Sequence, residues 1–287
     1  KSIALIGPSV DNPRNYFGDY AYTAHLDLEK PSVECKTILK VFRENGIETY
    51  YEKGCEIFDF NKDNFLNAIE TAKKGDVIIF VGGDKSGFAS DCTCGESKDS
   101  HDLKLPGVQE ELILKLSEIG KPLIVLLITG RPYVLTNIID KVNAIVECWF
   151  PGEETGKVIF DMLFGKFSPS GKLPVSFPKH VGQLPVYYHR KVVSKERNYV
   201  YSDSKPLFPF GFGLSYSTFE YYDFKINKKK IKAGENFSVS LSVKNTGNIE
   251  AADVVQLYVR KKFASCVLPS KLLKGFCKVN LKVNEAK

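Results

Sequence analysis

The chain has 287 residues, of which 43% are hydrophobic and 26% charged, and its formal net charge at pH 7 is +6. That length exceeds what one hydrophobic core usually organises, so two domains are expected. No stretch approaches the roughly 20 apolar residues of a membrane helix, and the basic residues are spread among nearly as many acidic ones. Neither membrane spanning nor nucleic-acid binding is therefore predicted.

The seven cysteines are scattered and odd in number, which favours free thiols over a disulfide framework. Cys92 and Cys94 are separated by one residue, which is not the spacing of a zinc half-site, and no metal or cofactor is predicted. The compartment stays open, although free thiols favour a reducing one such as the cytoplasm. The chain opens directly on an apolar strand pattern, so we expect it to begin within a larger architecture.

The first half alternates short apolar runs with helical patterns, which predicts βαβ units and a largely parallel sheet. The predicted strands are nearly continuous in hydrophobicity, as in sheets covered on both faces, and span residues 3–6, 48–51, 77–81, 123–128 and 144–148. Helices are predicted over residues 33–44, after the cap Asn61, over 108–119, from Pro132 and over 153–163. Residues 1–178 are thus predicted to form a doubly wound α/β sandwich.

Beyond residue 165 the sequence becomes rich in proline and aromatic residues, which excludes long helices. Residues 179–218 are predicted to form a packed linker. Strict alternation over residues 237–243, a turn at 245–248 and a further apolar run at 254–259 predict β-strands. Residues 219–287 are therefore predicted to be an all-β, sandwich-like region with about four strands, fewer than the seven or more of an immunoglobulin-type sandwich.

The longest polar loop follows the third predicted strand, from residue 82 to 107. Open α/β sheets bind ligands at the carboxyl ends of their strands, and loops longer than about 15 residues in compact domains are usually functional or disordered. Glycines, aspartates, lysines and Glu96 gather in this loop. Composition alone favours a solvated loop carboxylate for Glu96.

The loop resembles the acid/base loop of family 3 glycoside hydrolases, in particular the β-glucosidases and β-xylosidases. Within the loop the matching segments are GDKSG (83–87), DCT (91–93), GES (95–97) and DLKLPGVQE (102–110). Outside it they are NP (12–13), GDY (18–20), TGRP (129–132), WFPGEE (149–154), GKLP (171–174), GQLPVYY (182–188) and PFGFGLSY (209–216). Residues 245–247, 254–258 and 273–276 resemble the fibronectin type III-like domain of many members, here truncated.

The resemblance implies a retaining mechanism with an aspartate nucleophile on an amino-terminal barrel and a glutamate acid/base, whose position matches Glu96. Its substrates would be terminal non-reducing β-D-glucosyl or β-D-xylosyl residues of oligosaccharides or glycosides. No barrel pattern and no nucleophile motif occur in these residues, so the chain is expected to need a barrel domain as partner and to be inactive alone. The alternative is a non-catalytic sugar-binding or barrel-docking module. A nucleotide-binding domain is disfavoured because no G-x-G-x-x-G follows the first strand.

Four side chains near Glu96 are candidates for substrate binding. Asp84 and Lys85 follow the third strand, and either contact sugar hydroxyls or tether the long loop through ion pairs. Asp19 and Tyr20 lie in the loop after the first strand, and either face the cleft or pack against the barrel.

Other residues are expected to support the loops or to weaken them. Arg131 and Trp149 are expected to support loops and domain packing rather than to contact substrate. Ser100 stands where family members often carry arginine, which leaves the rigidity of the loop open. Cys94 replaces the more usual small hydroxyl residue, and its thiol invites oxidation if it is exposed.

Overall fold

The computed structural model describes residues 1–191 and 198–287, so residues 192–197 of the predicted linker lie outside the described residues. The chain divides into two compact units. The first comprises residues 1–161, 177–186 and 204–207, and the second comprises 162–176, the described part of 187–203, and 208–287. The parallel sheet belongs to the first unit and the antiparallel strands to the second.

A five-stranded parallel sheet forms the centre of the first unit. Its strands are β1 (Ile3–Ile6), β2 (Thr49–Glu52), β3 (Val77–Gly83), β4 (Leu123–Ile128) and β5 (Ala144–Glu147). They lie in the order β2-β1-β3-β4-β5, and every neighbouring pair is parallel. The chain order reverses between β1 and β3, which is where ligands collect in such sheets. The predicted α/β architecture is confirmed.

Five α-helices connect these strands or lie in their loops. They are α1 (Tyr22–His25), α2 (Ile38–Glu44), α3 (Phe65–Ala72), α4 (Gln109–Ser117) and α5 (Thr155–Leu163). The side chains of α2 and α4 that enter the core are apolar apart from Gln109, as expected for helices that cover a sheet. Within residues 1–191 and 198–287, no helix has the length and apolar character that a bilayer crossing requires.

Two helices begin later than predicted because local hydrogen bonds fix the preceding chain. The Thr37 hydroxyl accepts a hydrogen bond from the backbone N of Lys40 at 3.2 Å, so α2 begins at Ile38 rather than at residue 33. The Asn61 side chain accepts from the backbone N of Asp63 at 2.7 Å, in a local turn. Asn61 therefore does not cap α3.

The helix predicted from Pro132 does not form. The backbone N of Val134 donates to the Leu103 carbonyl at 2.7 Å, which commits this segment to the long loop after β3. Ile138 and Ile139 then both donate to the Leu135 carbonyl in successive turns. Tertiary pairing with the loop thus overrides the helix-start signal of proline. A 3₁₀ turn (Gly152–Glu154) likewise precedes α5, which begins at Thr155.

The second unit contains two antiparallel strand pairs, which confirms the predicted all-β region. β6 (Phe219–Ile226) pairs with β7 (Val239–Asn245), and β8 (Ala251–Val259) pairs with β9 (Leu272–Leu281). Asp253 on β8 links the pairs, because its carboxylate accepts hydrogen bonds from the Tyr221 hydroxyl on β6 and forms an ion pair with Lys172 at 2.9 Å. Val243, Ala251 and Leu281 belong to its small buried core.

The end of β3 requires glycine at position 83. Gly83 has a φ of +131°, and a Cβ atom there would lie 2.1 Å from the Ile128 carbonyl oxygen of β4. We expect Gly83→Ala to lower the free energy of unfolding of the first unit by about 3 kcal/mol or more. Urea unfolding followed by the fluorescence of Trp149, the single tryptophan, reports on this unit.

Gly120 is the matched control for that substitution. Its φ of +77° is also left-handed, but no atom lies within 4 Å of its hypothetical Cβ. Gly120→Ala should therefore cost only the left-handed backbone strain, about 1 kcal/mol. If both variants lost the same free energy of unfolding, the close approach of β4 would not be the reason that position 83 requires glycine.

Candidate active site

Four loops at the carboxyl edge of the sheet enclose a cleft of about 560 Å³. Asp19 lines it from the loop after β1, Cys94 and Gly95 from the loop after β3, Arg131 from the loop after β4, and Phe150 from the loop after β5. The long loop after β3 therefore forms one wall of the cleft and carries Glu96 beside it. This is the edge at which the sequence analysis predicts a site.

Glu96 is held at its backbone and at its carboxylate by consecutive residues of the loop after β1. Its backbone N donates to Oδ2 of Asp19 at 2.6 Å, and its Oε2 accepts from the Tyr20 hydroxyl at 2.8 Å. The preceding Gly95 has a φ of +119°, and a Cβ there would lie 3.1 Å from the Asp19 carboxyl group. Glycine at position 95 therefore permits the close approach of Asp19 to the Glu96 amide.

Asp19 and Tyr20 differ in exposure although they are adjacent in sequence. The Asp19 side chain is 6% exposed, and among the described residues its Oδ1 has no hydrogen-bond partner, with His25 Nδ1 4.0 Å away. Tyr20 is 80% exposed. The hydrogen bond to the Glu96 carboxylate, together with its charge, raises the pKa of Tyr20. The structure thus brings Asp19, Tyr20 and Glu96 together.

Asp84 is fully buried at the end of β3 and joins the loops after β3 and β4. Its Oδ1 accepts hydrogen bonds from the Thr93 hydroxyl at 2.6 Å and from the Tyr133 hydroxyl, and its Oδ2 accepts from the backbone N of Gly130 at 2.9 Å. Burial, reinforced by the charge and hydrogen bond of Asp84, raises the pKa of Tyr133. The carboxylate therefore anchors both loops.

Lys85 takes part in a chain of charges, which fits the predicted alternative of a loop tether; sequence reasoning missed the members Arg14 and Asp27. Its Nζ pairs with Asp91 at 2.8 Å and with Asp27 at 3.3 Å, and Asp27 also pairs with the buried Arg14 at 3.0 Å. The Arg14 guanidinium further donates to the Ser86 carbonyl at 2.8 Å. Burial works to lower the pKa of Lys85, but the hydrogen bonds to Asp91 and Asp27 outweigh it and raise that pKa. This chain ties the loop after β1 to the loop after β3.

Arg131 supports the segment that contains Glu96, as predicted. Its Nη2 donates to the carbonyl of Thr93 at 3.1 Å and to the carbonyl of Lys98 at 2.7 Å. One guanidinium therefore holds the loop on both sides of Glu96. The Ser100 hydroxyl donates to the Asp102 carbonyl at 2.6 Å. Arg131 thus supplies a cation to this loop from the loop after β4.

Cys94 lies inside the loop rather than at its surface. It is buried, and burial raises its pKa to about 12. The exposure that would make this thiol prone to oxidation is therefore not present. All seven cysteines are free thiols.

Glu147 is a further carboxyl at this edge, and sequence reasoning missed it. It ends β5, and its Oε1 accepts hydrogen bonds from the Thr129 hydroxyl at 2.9 Å and from the backbone N of Trp149 at 3.0 Å. In the part of the chain that the structure describes, its Oε2 is buried and has no hydrogen-bond partner. Burial, aided by the charge of Asp84, raises its pKa to about 8 despite those two hydrogen bonds. The signal in the sequence was an acidic residue at the end of a continuous apolar strand.

Trp149 has a packing role, as expected. Its φ is +52°, and its ring makes an edge contact with Phe177 at a centroid distance of 6.3 Å.

Over residues 1–191 and 198–287, no group of three or more His, Cys, Asp or Glu side chains is arranged to hold a metal ion.

The sequence of the first unit and of the segments that follow it matches a known domain. Residues 1–216 match the glycosyl hydrolase family 3 C-terminal domain, and residues 253–287 match the fibronectin type III-like domain. The chain belongs to glycoside hydrolase family 3. The long loop after β3 is the segment that resembles the acid/base loop of this family.

Relatives with the same domains are glycoside hydrolases. A β-xylosidase of Formosa agariphila is 40% identical over 291 residues, and the periplasmic β-glucosidase of Salmonella typhimurium is 34% identical over 316 residues. Both alignments cover 100% of this chain and 40% of the relative. The solved structure of a β-glucosidase from Erythrobacter marinus, 34% identical, superposes with a TM-score of 0.85 over 100% of this chain and 40% of its own. The chain therefore spans well under half the length of these relatives.

The contact between Tyr20 and Glu96 predicts a measurable coupling. Replacing the carboxylate by a neutral amide in Glu96→Gln removes the negative charge that disfavours the phenolate, so the pKa of Tyr20 should fall towards its usual value. The ¹³C shift of the tyrosine Cζ, followed against pH in selectively labelled protein, measures it.

Tyr50 provides the matched control, because its hydrogen bond to Glu48 raises its pKa in the same way. Glu48→Gln should lower the pKa of Tyr50 and leave Tyr20 unchanged. If Glu96→Gln left the pKa of Tyr20 where it is, the hydrogen bond between the two side chains would be absent in solution.

The anchoring role of Asp84 also has a direct consequence. Asp84→Asn places an NH₂ group against donors from Thr93, Tyr133 and Gly130, so it should lower the free energy of unfolding by about 2–3 kcal/mol. Urea unfolding monitored by tryptophan fluorescence measures the loss. The exposed Asp140 is the control, since Asp140→Asn should change stability by less than about 0.5 kcal/mol. An unchanged free energy of unfolding in Asp84→Asn would contradict the anchoring role.

Proposed function

We propose that this chain is the acid/base-bearing portion of a retaining β-glycosidase, and that Glu96 is the general acid/base. The observation that carries the proposal is the setting of Glu96. Its carboxylate is exposed at the carboxyl edge of the sheet, while its backbone and Oε2 are fixed by Asp19 and Tyr20. A general acid must be reachable by substrate and yet held in one orientation, and this arrangement meets both needs.

The geometry suggests how each oxygen of Glu96 is used. The Tyr20 hydroxyl occupies Oε2, which leaves Oε1 to carry the proton that passes to the leaving oxygen. A nucleophilic carboxylate then forms the glycosyl intermediate, and the ionised Glu96 takes a proton from the water that hydrolyses it. In retaining enzymes the two carboxyl groups lie about 5 to 5.5 Å apart, and the family resemblance assigns the nucleophile to an amino-terminal barrel.

The neighbouring candidates receive different roles. We assign Asp19 and Tyr20 to the positioning of Glu96, with Tyr20 also exposed towards substrate. Asp84 and Lys85 act as anchors of the loop, because Asp84 is fully buried and Lys85 is engaged by two carboxylates. Their removal would disturb the loop rather than delete a sugar contact.

The substrate class follows from the relatives. Their names include both β-xylosidases and β-glucosidases, so we propose terminal non-reducing β-D-xylosyl or β-D-glucosyl residues of oligosaccharides or glycosides as substrates. The partner is the barrel domain that would supply the nucleophile and most contacts to the non-reducing sugar.

Hydrolysis of aryl β-glucosides and β-xylosides by this chain combined with the barrel of a family 3 relative tests the proposal. The pair should turn over at least one of the two substrates, and Glu96→Gln should lower the rate by about 10²- to 10⁴-fold. Added azide, which needs no general base, should restore product formation in that variant as the glycosyl azide.

Glu153→Gln is the control, since Glu153 is an exposed carboxylate in the 3₁₀ turn before α5. It should leave the rate unchanged. Full activity in Glu96→Gln would remove the acid/base assignment. A pair that binds but stays inactive with every substrate would favour the alternative, a non-catalytic sugar-binding or barrel-docking module.

A further inference from the structure

We propose that three neighbouring rings, those of Tyr20, His25 and Phe88, form the subsite for the leaving group of the glycoside. We call these three residues the aromatic row. The ligand class is an aryl aglycone or a second sugar ring, placed on the acid side of the scissile bond. The inference rests on the proposed role of Glu96 and names the part of the substrate that this chain would recognise.

The aromatic row is continuous and open to solvent in the described structure. The Tyr20 and His25 rings stack at a centroid distance of 6.3 Å with an interplanar angle of 21°. His25 in turn meets Phe88 edge to face, at 4.8 Å and 82°. Tyr20 is 80% exposed and Phe88 is 43% exposed. Two loops, those after β1 and β3, therefore present one ring surface.

The position of Glu96 decides which part of the substrate meets the aromatic row. The leaving oxygen must come within hydrogen-bond distance of the Glu96 carboxyl group to receive its proton. The Tyr20 hydroxyl already lies 2.8 Å from Oε2 of the same carboxyl group. The group attached to the leaving oxygen is therefore brought next to the Tyr20 ring.

The non-reducing sugar has a different position. In a retaining enzyme it lies between the acid and the nucleophile, and the resemblance assigns the nucleophile to another domain. The aromatic row belongs wholly to the unit that carries Glu96. We therefore place the aromatic row on the leaving-group side of the scissile bond, away from the non-reducing sugar.

The chemistry of the rings fits such a ligand. Aromatic faces pack against the apolar face of a sugar or against an aryl ring, and the Tyr20 hydroxyl and His25 nitrogens can bond to hydroxyl groups at the edge. Phe58 and Phe60 form another ring pair of this unit, at 5.9 Å, in the loop after β2. Phe58 is 53% exposed, which makes it a matched control.

Binding to the chain by itself is the first test. Phenyl β-D-glucoside, titrated into ¹⁵N-labelled protein, should shift the amide signals of the aromatic row more than methyl β-D-glucoside does. Phe88→Ala should weaken the binding of phenyl β-D-glucoside about three- to tenfold, and Phe58→Ala should leave that affinity unchanged. No shift in the aromatic row, or equal shifts with both glucosides, would overturn the inference.

Kinetics in the barrel-paired enzyme separate this inference from the proposed function. Phe88→Ala should lower kcat/KM for phenyl glycosides about three- to tenfold and leave hydrolysis of the glycosyl fluoride unchanged, because fluoride has no aglycone to bind. Tyr20→Phe keeps the ring but loses the bond to Glu96, so it should slow poor leaving groups without weakening phenyl glucoside binding.

Two outcomes would count against the aromatic row as a subsite. An equal loss for phenyl glycoside and glycosyl fluoride in Phe88→Ala would mean a structural role. Weaker association with the barrel, without a change in aryl preference, would mean that the row docks the barrel. Failure of the proposed function would show differently, as full activity in Glu96→Gln, and would leave the binding test on the chain alone unaffected.

Discussion

The long loop after β3 must be held in one conformation without secondary structure of its own, and a buried carboxylate makes this possible. Asp84 stands at the point where β3 ends and accepts hydrogen bonds from its own loop and from the loop after β4. A buried charge of this kind is tolerated only where its lone pairs are satisfied. Arg131 then holds the carbonyls on both sides of Glu96, and Asp19 holds the amide of Glu96 itself. Glu96 is thereby positioned by contacts internal to the first unit.

The sheet could be predicted from the sequence, whereas much of this support could not. Continuous apolar runs mark β3 and β4 because both faces of these strands are covered, and such a pattern is local. The helix predicted from Pro132 was wrong because the amide of Val134 pairs with Leu103, about thirty positions earlier in the chain. Hydrogen bonds between distant loops leave no periodic trace in a sequence. For the same reason the pair of Arg14 and Asp27 was missed, whereas Glu96 was singled out by resemblance and its role stays a prediction.

Glu96 and Glu147 show why exposure matters more than acidity alone in assigning the acid. Glu147 has a pKa raised to about 8 by burial, which by itself is typical of a general acid. Yet its Oε1 is occupied by Thr129 and Trp149, and its Oε2 is buried, so no leaving oxygen can reach it. Glu96 is exposed, and its partner Tyr20 is exposed beside it. The strained backbone of Trp149, with its φ of +52°, is held partly by the bond to Glu147, which gives that carboxyl a structural use.

The anchors of Glu96 also limit what a barrel domain has to contribute. Asp19, Tyr20 and Arg131 all belong to the first unit, so the described contacts that orient Glu96 and its loop lie within that unit. Under the proposed function, a docking barrel would need only to bring its nucleophile to the separation of about 5 to 5.5 Å that retention requires, and to enclose the non-reducing sugar. Asp19 lines the cleft, and among the described residues its buried Oδ1 has no hydrogen-bond partner, so its hold on the Glu96 amide uses Oδ2 alone.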